Sequence, residues 1–127
     1  MIRSSILVVG DTVLDRYIMG TSTRISPEAP IAVVDASSED LFAGCAANVS
    51  RNVVSLGSDC TLISLTSNDV SGNLLRALIA QEGIEFFGIN CEEGSTLEKW
   101  RIIANGQQVL RLDFGKSQTG KREAMID

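Results

Sequence analysis

One short pattern occurs twice between residues 44 and 89, and it constrains the fold more than any other feature. A helical stretch, a glycine, a brief loop and a β-rich run follow one another in that order. In the first copy Ala46, Ala47, Val49, Val53 and Leu56 recur at spacings of three and four within residues 44–56. Gly57 supplies the left-handed stop, and Cys60–Leu65 reads as a strand. In the second copy Asn68 or Asp69 caps a helix whose apolar face holds Val70, Leu74, Leu78 and Ile79. Gly83 ends that helix and Ile84–Ile89 forms the next strand. The apolar run Ile6–Val9, closed by Gly10-Asp11, precedes both copies as a short buried strand. Strands joined through helices lie parallel, with right-handed crossovers. The pattern therefore predicts an α/β protein built on a parallel sheet.

The composition agrees with one globular domain and narrows the chemistry. The chain has 127 residues, 44% hydrophobic and 21% charged, which suffices for a continuous core. Its formal charge of −5 argues against nucleic-acid and anionic-membrane partners. There is no histidine, which excludes a Ser-His-Asp triad, a Cys-His pair and the common His-bearing zinc sites. Cys45, Cys60 and Cys91 form no CxxC and leave an odd thiol under any pairing, as reduced thiols of a cytoplasmic protein would. The run Ile6–Val9 is too short for a signal-peptide core or a membrane span.

The last third follows a different pattern. Leu97–Ala104 and Gln107–Phe114 flank Asn105-Gly106, a strong hairpin signal. A two-residue turn places Ile102 opposite Val109 and Trp100 opposite Arg111, the latter pair in cation–π range. Earlier in the chain, Ile31–Val34 forms a β-rich run after the stiff segment from Arg24 through Pro27 to Pro30. Residues 116–127 lack periodicity and are expected to form an irregular tail.

Several groups could carry chemistry. Asp11, Asp15 and Arg16 lie just past the first strand, where ligands bind in open α/β sheets. Carboxylates accept hydrogen bonds from hydroxyls and an Arg can pair a phosphate; a polar turn with an internal Asp–Arg pair is the plainer reading. The GxGxxG dinucleotide fingerprint is absent. Gly44, Cys45 and Asn48 open the first helix, where small side chains and free N–H groups admit an oxygen ligand or, alternatively, close helix–sheet packing. The Arg24 segment reads as a lid edge, a dimer strand or a connecting loop. Lys99, Arg101 and Arg111 make the hairpin basic, as a solvated face or a phosphate site would be. Residues 1–98 carry five basic and thirteen acidic groups and residues 99–127 six and three, so the hairpin opens the basic end of the chain.

Taken in order, GDTVLDRY (10–17), RISPEAPIAVV (24–34), AGCAANVSRNVVSLG (43–57) and RIIANGQQVLRLDF (101–114) resemble the ribokinase-like (PfkB) carbohydrate kinases. Within that family they are most similar to the heptose 7-phosphate kinase branch. The resemblance spans about residues 5–114. It implies the N-terminal part of a three-layer α/β fold, with a parallel central sheet and a small β lid. Residues 1–115 would be the sugar-binding part, with the lid at about 17–34 plus the hairpin 97–114. Asp15 matches the family's acid that bonds sugar hydroxyls, and Gly44, Cys45 and Asn48 fall on its Gly-Gly-x-x-Asn loop, with Cys45 in place of the second glycine. Lys99 and Arg101 match a basic pair beside the substrate phosphate; Asp11, Arg16 and Arg24 are further candidates. The family transfers the γ-phosphoryl group of Mg-ATP to a sugar hydroxyl by positioning and charge neutralisation. The implied partners are heptose 7-phosphate and, through the lid, a second copy of the chain. The sequence holds neither a GAGD-type motif, which carries the family's base, nor a Walker A loop. No catalytic base or metal ligand is therefore assigned within residues 1–127, ATP and Mg2+ are not expected to bind this chain tightly, and the chain by itself is expected to be inactive.

Overall fold

The computed structural model describes residues 4–92 and 94–115. They form β1 (Ser5–Val9), β2 (Thr12–Ile25), β3 (Ala32–Cys45), α1 (Ala46–Ser55), β4 (Asp59–Thr66), α2 (Val70–Gln81), β5 (Glu85–Asn90), β6 (Glu98–Ala104) and β7 (Gln107–Phe114). The expected irregular tail at 116–127 lies outside the described residues. The doubled pattern produces the arrangement it predicts: β1, β4 and β5 form a parallel sheet in the order β1-β4-β5. A second, mixed sheet has the order β3-β2-β6-β7, with β2 parallel to β6 and antiparallel to β3.

The core lies where the helices meet the parallel sheet. Leu62 of β4 is completely buried beneath Ala47 of α1 and Leu75 and Ile79 of α2, with Ile84 closing the cluster. Along β4 the buried residues are Cys60, Leu62, Ser64 and Thr66, the strand's period of two. The opposite face carries Ile63 in register with Val9 and Phe87, and the last two remain 47% and 55% exposed. Parallel sheets are ordinarily covered on both faces, and the described residues supply one helical layer.

Three strand assignments differ from the sequence reading. Thr12–Arg16 is not a polar turn but the start of β2, a 14-residue strand. β3 extends well beyond Ile31–Val34, to Cys45. Its middle, Asp35–Asp40, is polar and exposed, so no apolar alternation marks it, and it is held extended by pairing with β2 along one edge. Gly44 and Cys45 consequently end a strand rather than begin a helix. The Asn105-Gly106 turn forms as predicted, both residues having positive φ. The register breaks one step later: Ile103 pairs with Gln108 but Ile102 pairs with Leu110, leaving Val109 as an extra residue. Trp100 therefore faces Leu112 rather than Arg111, and the expected Trp100–Arg111 contact is replaced. Arg16 lies 5.1 Å from the Trp100 ring centre, and Arg111 pairs with Asp113 at 3.0 Å.

Asp69, one of the two residues expected at the cap, starts α2. Its carboxylate accepts from the Gly72 N–H at 2.7 Å, the Thr96 N–H at 2.8 Å and the Thr96 hydroxyl at 2.6 Å. The same side chain thus holds the approach to β6. Burial opposes its charge, but the hydrogen bonds from Thr96 and Gly72 outweigh burial and hold the carboxyl below its ordinary range. A lowered folded pKa adds stability above the unfolded value, and that stability is lost as pH falls through the folded one. Urea unfolding should accordingly show falling stability on acidification below about pH 4. Asp69→Ala should reduce that slope and cost about 1 kcal/mol at neutral pH.

Candidate functional site

The candidate site lies where β2, the end of β3 and α1 converge. Strand alternation sends Asp15 and Tyr17 to one face of the mixed sheet and Arg16 to the other. The Asp11 carbonyl accepts the Ala46 N–H at 3.0 Å, which fixes the first turn of α1 beside the end of β1. Asn48 and Arg51, one helical turn apart, then face the same side. Asp15, Tyr17, Phe42, Gly44, Asn48 and Arg51, with Ala43 and Cys45, line a pocket of about 350 Å3.

Asp15 is held from two directions. Arg101 of β6 donates to its Oδ1 at 2.6 Å, and both side chains are mostly buried. The Arg101 guanidinium also lies 5.0 Å from the Tyr17 ring centre, and Tyr17 meets Phe42 edge to face at 5.6 Å. The hydrogen bond to Asp15 holds Arg101 more firmly protonated than usual, against the opposing effect of burial. On its other side the Asp15 carboxylate presses against Gly44. A Cβ added to Gly44 would stand 2.0 Å from Asp15 Oδ2. Gly44 is therefore required by the close approach of the acid rather than by an unusual backbone angle.

Cys45 shows the opposite requirement. It has φ 55° and ψ −123°, a conformation that favours glycine, and it precedes the first residue of α1 without capping it through its side chain. Cys45, which stands where the family pattern has its second glycine, thus carries backbone strain that a glycine would not. All three cysteines are unpaired; Cys45 is exposed, Cys60 and Cys91 buried.

Of the residues singled out in the sequence, Asp15, Gly44, Cys45 and Asn48 come together in the pocket. Arg101 reaches it through Asp15. Lys99 sits on β6 between Asp15 and Asp113 in register and does not line the pocket. Asp11 contributes its carbonyl to the α1 start. Arg24 pairs with Asp35 at 3.0 Å on the exposed outer part of β2. Arg16 faces away from the pocket, bound to Glu39 and Glu98, each at 2.7 Å. Burial opposes its charge, but both carboxylates outweigh burial and hold the guanidinium more firmly protonated than usual. Glu98 in turn accepts from the Ser71 hydroxyl and the Trp100 indole. The sequence reading missed Tyr17, Phe42 and Arg51. Tyr17 is two residues from Asp15 on a strand and Arg51 three from Asn48 on a helix, so periodicity could have found them. Phe42 joins only through its pairing with Asp15.

The fold defines the class first. A solved carbohydrate kinase from Agrobacterium tumefaciens superposes with a TM-score of 0.72 at 26% identity, covering 87% of this chain and 35% of that one. Phosphofructokinase-2 from Escherichia coli, solved in complex with fructose-6-phosphate, shares the fold with a TM-score of 0.64 at 20% identity, covering 90% and 35%. A family profile described as pfkB family carbohydrate kinase matches residues 3–126, and the chain belongs to that family. It is 44% identical over 115 residues to the bifunctional protein HldE of Nitrosococcus oceani, covering 87% of this chain and 24% of that protein. It is 43% identical over 112 residues to the D-beta-D-heptose 7-phosphate kinase of Bordetella bronchiseptica, covering 88% and 36%. The chain thus spans about a quarter to a third of the length of these relatives. Neither described helix is long and apolar enough to cross a membrane.

Two substitutions test the geometry. Cys45→Gly should relieve the strained backbone and raise stability by about 1 kcal/mol in urea unfolding. Gly44→Ala should displace the Asp15 carboxylate and lower stability, and a crystal structure of that variant should show the Asp15–Arg101 hydrogen bond broken or lengthened.

Proposed function

We propose that these residues form the acceptor-sugar side of a sugar-phosphate kinase, with heptose 7-phosphate as the acceptor. The observation that carries this reading is the fixed carboxylate of Asp15 in a pocket shared with Asn48 and the Gly44 backbone. A carboxylate held at one oxygen by Arg101 accepts hydrogen bonds from neighbouring hydroxyls at defined angles, and an amide beside it both donates and accepts. Tyr17 and Phe42 offer apolar ring faces for the C–H face of a sugar. The heptose kinase named among the relatives supports heptose 7-phosphate in particular.

In this reading Mg-ATP supplies the phosphoryl group in the longer relatives. Among the described residues no group of three or more His, Cys, Asp or Glu side chains could hold a metal ion, so no step through metal or nucleotide is assigned to them. The 127 residues bind the acceptor and do not by themselves turn it over. The outer strand β7 favours a second copy of the chain as partner. It is exposed throughout, with Val109, Leu110, Leu112 and Phe114 all uncovered at the edge of the mixed sheet.

Calorimetry on the purified chain should detect heptose 7-phosphate binding that is lost in Asp15→Ala and retained in Asp11→Ala. A folded wild-type chain that binds no sugar phosphate, or an Asp15→Ala variant that binds as well as wild type, would refute the assignment. Sedimentation should give a dimer, and Leu112→Lys should shift it toward monomer; a monomeric wild-type chain would refute that part.

A further inference from the structure

The pocket has two walls of different charge. The strand wall presents the Asp15 carboxylate, and the helical wall presents Asn48 and Arg51 of α1. We propose that Arg51 is the residue that selects a phosphorylated sugar, by binding the substrate's phosphate from the helical wall. The inference rests on the sugar-phosphate reading above and adds to it the position of the anionic group.

The commitments of the cations on the mixed sheet argue for it. Arg101, expected from the resemblance to meet the phosphate, is tied to Asp15 at 2.6 Å, and its charge is spent on that carboxylate. Arg16 is held by Glu39 and Glu98 behind the sheet, Arg24 by Asp35 and Arg111 by Asp113. Lys99 does not line the pocket. Among the described residues, the one hydrogen bond of Arg51 goes to the neutral side-chain oxygen of Asn48, at 2.5 Å, and it makes no ion pair. That bond orients the guanidinium along the same helical face as a second pocket-lining group and leaves its other N–H donors available. A planar guanidinium with adjacent free donors suits a phosphate, which it can engage through two parallel hydrogen bonds. Electrostatics points the same way. A phosphate placed against the strand wall would meet the Asp15–Arg101 pair, whose charges offset one another, whereas at the helical wall it meets a cation with no carboxylate partner among the described residues. Hydroxyls would then lie toward Asp15 and the phosphate toward Arg51, which gives the sugar one orientation.

A purely structural Arg51, serving only to tie one turn of α1 to the next, would affect the two forms of the sugar equally. The test therefore compares heptose 7-phosphate with unphosphorylated heptose by calorimetry, in wild type, Arg51→Gln, Arg51→Lys and Lys99→Gln. Arg51→Gln should weaken heptose 7-phosphate binding about tenfold or more while leaving unphosphorylated heptose unchanged. Arg51→Lys should recover part of the loss, and the salt dependence of binding should fall in Arg51→Gln. Each variant's urea midpoint verifies folding. An unchanged preference for the phosphorylated sugar in Arg51→Gln overturns the proposal, as does loss of that preference in Lys99→Gln instead; in both cases the sugar-phosphate reading survives. A folded wild-type chain that binds neither sugar overturns both.

Discussion

Glu98 accepts hydrogen bonds from the Arg16 guanidinium, the Ser71 hydroxyl and the Trp100 indole, and those donors come from β2, α2 and β6. One carboxylate thereby joins the mixed sheet to the helical layer of the parallel sheet. Burial opposes its charge, yet the three donors outweigh burial and hold its carboxyl below the ordinary range. Glu39 completes the arrangement by binding the other side of Arg16 from β3. A second joint, between the buried hydroxyls of Thr12 and Ser64 at 3.0 Å, ties the start of β2 to β4. These contacts, together with the Asp69–Thr96 hydrogen bonds and the Asp11–Ala46 backbone bond, hold the two sheets and α1 in place around Asp15.

On the opposite face of β2 the ion pair has another role. Asp15 and Arg101 are mostly buried, and the cost of desolvating such a pair offsets much of its attraction. Their effect is directional: Arg101 occupies one carboxylate oxygen and Gly44 supports the other, so the acid is placed before any ligand arrives. The Tyr17 ring beneath the guanidinium, itself packed on Phe42, restrains Arg101 in turn. Recognition chemistry here is built by packing around a glycine, not by a flexible loop closing on its ligand.

Much of this was readable in the sequence because it follows local rules. Helical spacing with a glycine stop located α1 and α2, Asn-Gly located the turn, and the order of motifs located Asp15, Gly44 and Asn48. What escaped depends on partners distant along the chain. Asp35–Asp40 carries no strand pattern of its own and is extended only because β2 supplies its hydrogen bonds. The bulge at Val109 leaves no mark beside a strong turn signal, yet it moves every later residue of β7 by one place. The fate of the charges was hidden for the same reason. Sequence proximity suggested an Asp–Arg pair within a polar turn, but alternation parts Asp15 from Arg16, and each takes a partner more than eighty residues away.

That alternation also decides where the chain can tolerate a change in length. Adding one residue between Thr12 and Asp15 would turn the acid out of the pocket and bring Arg16 or Leu14 in, while swinging the Glu98 partner to the wrong side. Farther along, β2 and β3 are already irregular at Met19/Gly20 and Thr21/Arg24. An insertion there would be absorbed by irregularities that exist already. The first five residues of β2 are thus intolerant of indels whatever their side chains, and the outer arm of the same strand is free to vary in length between relatives.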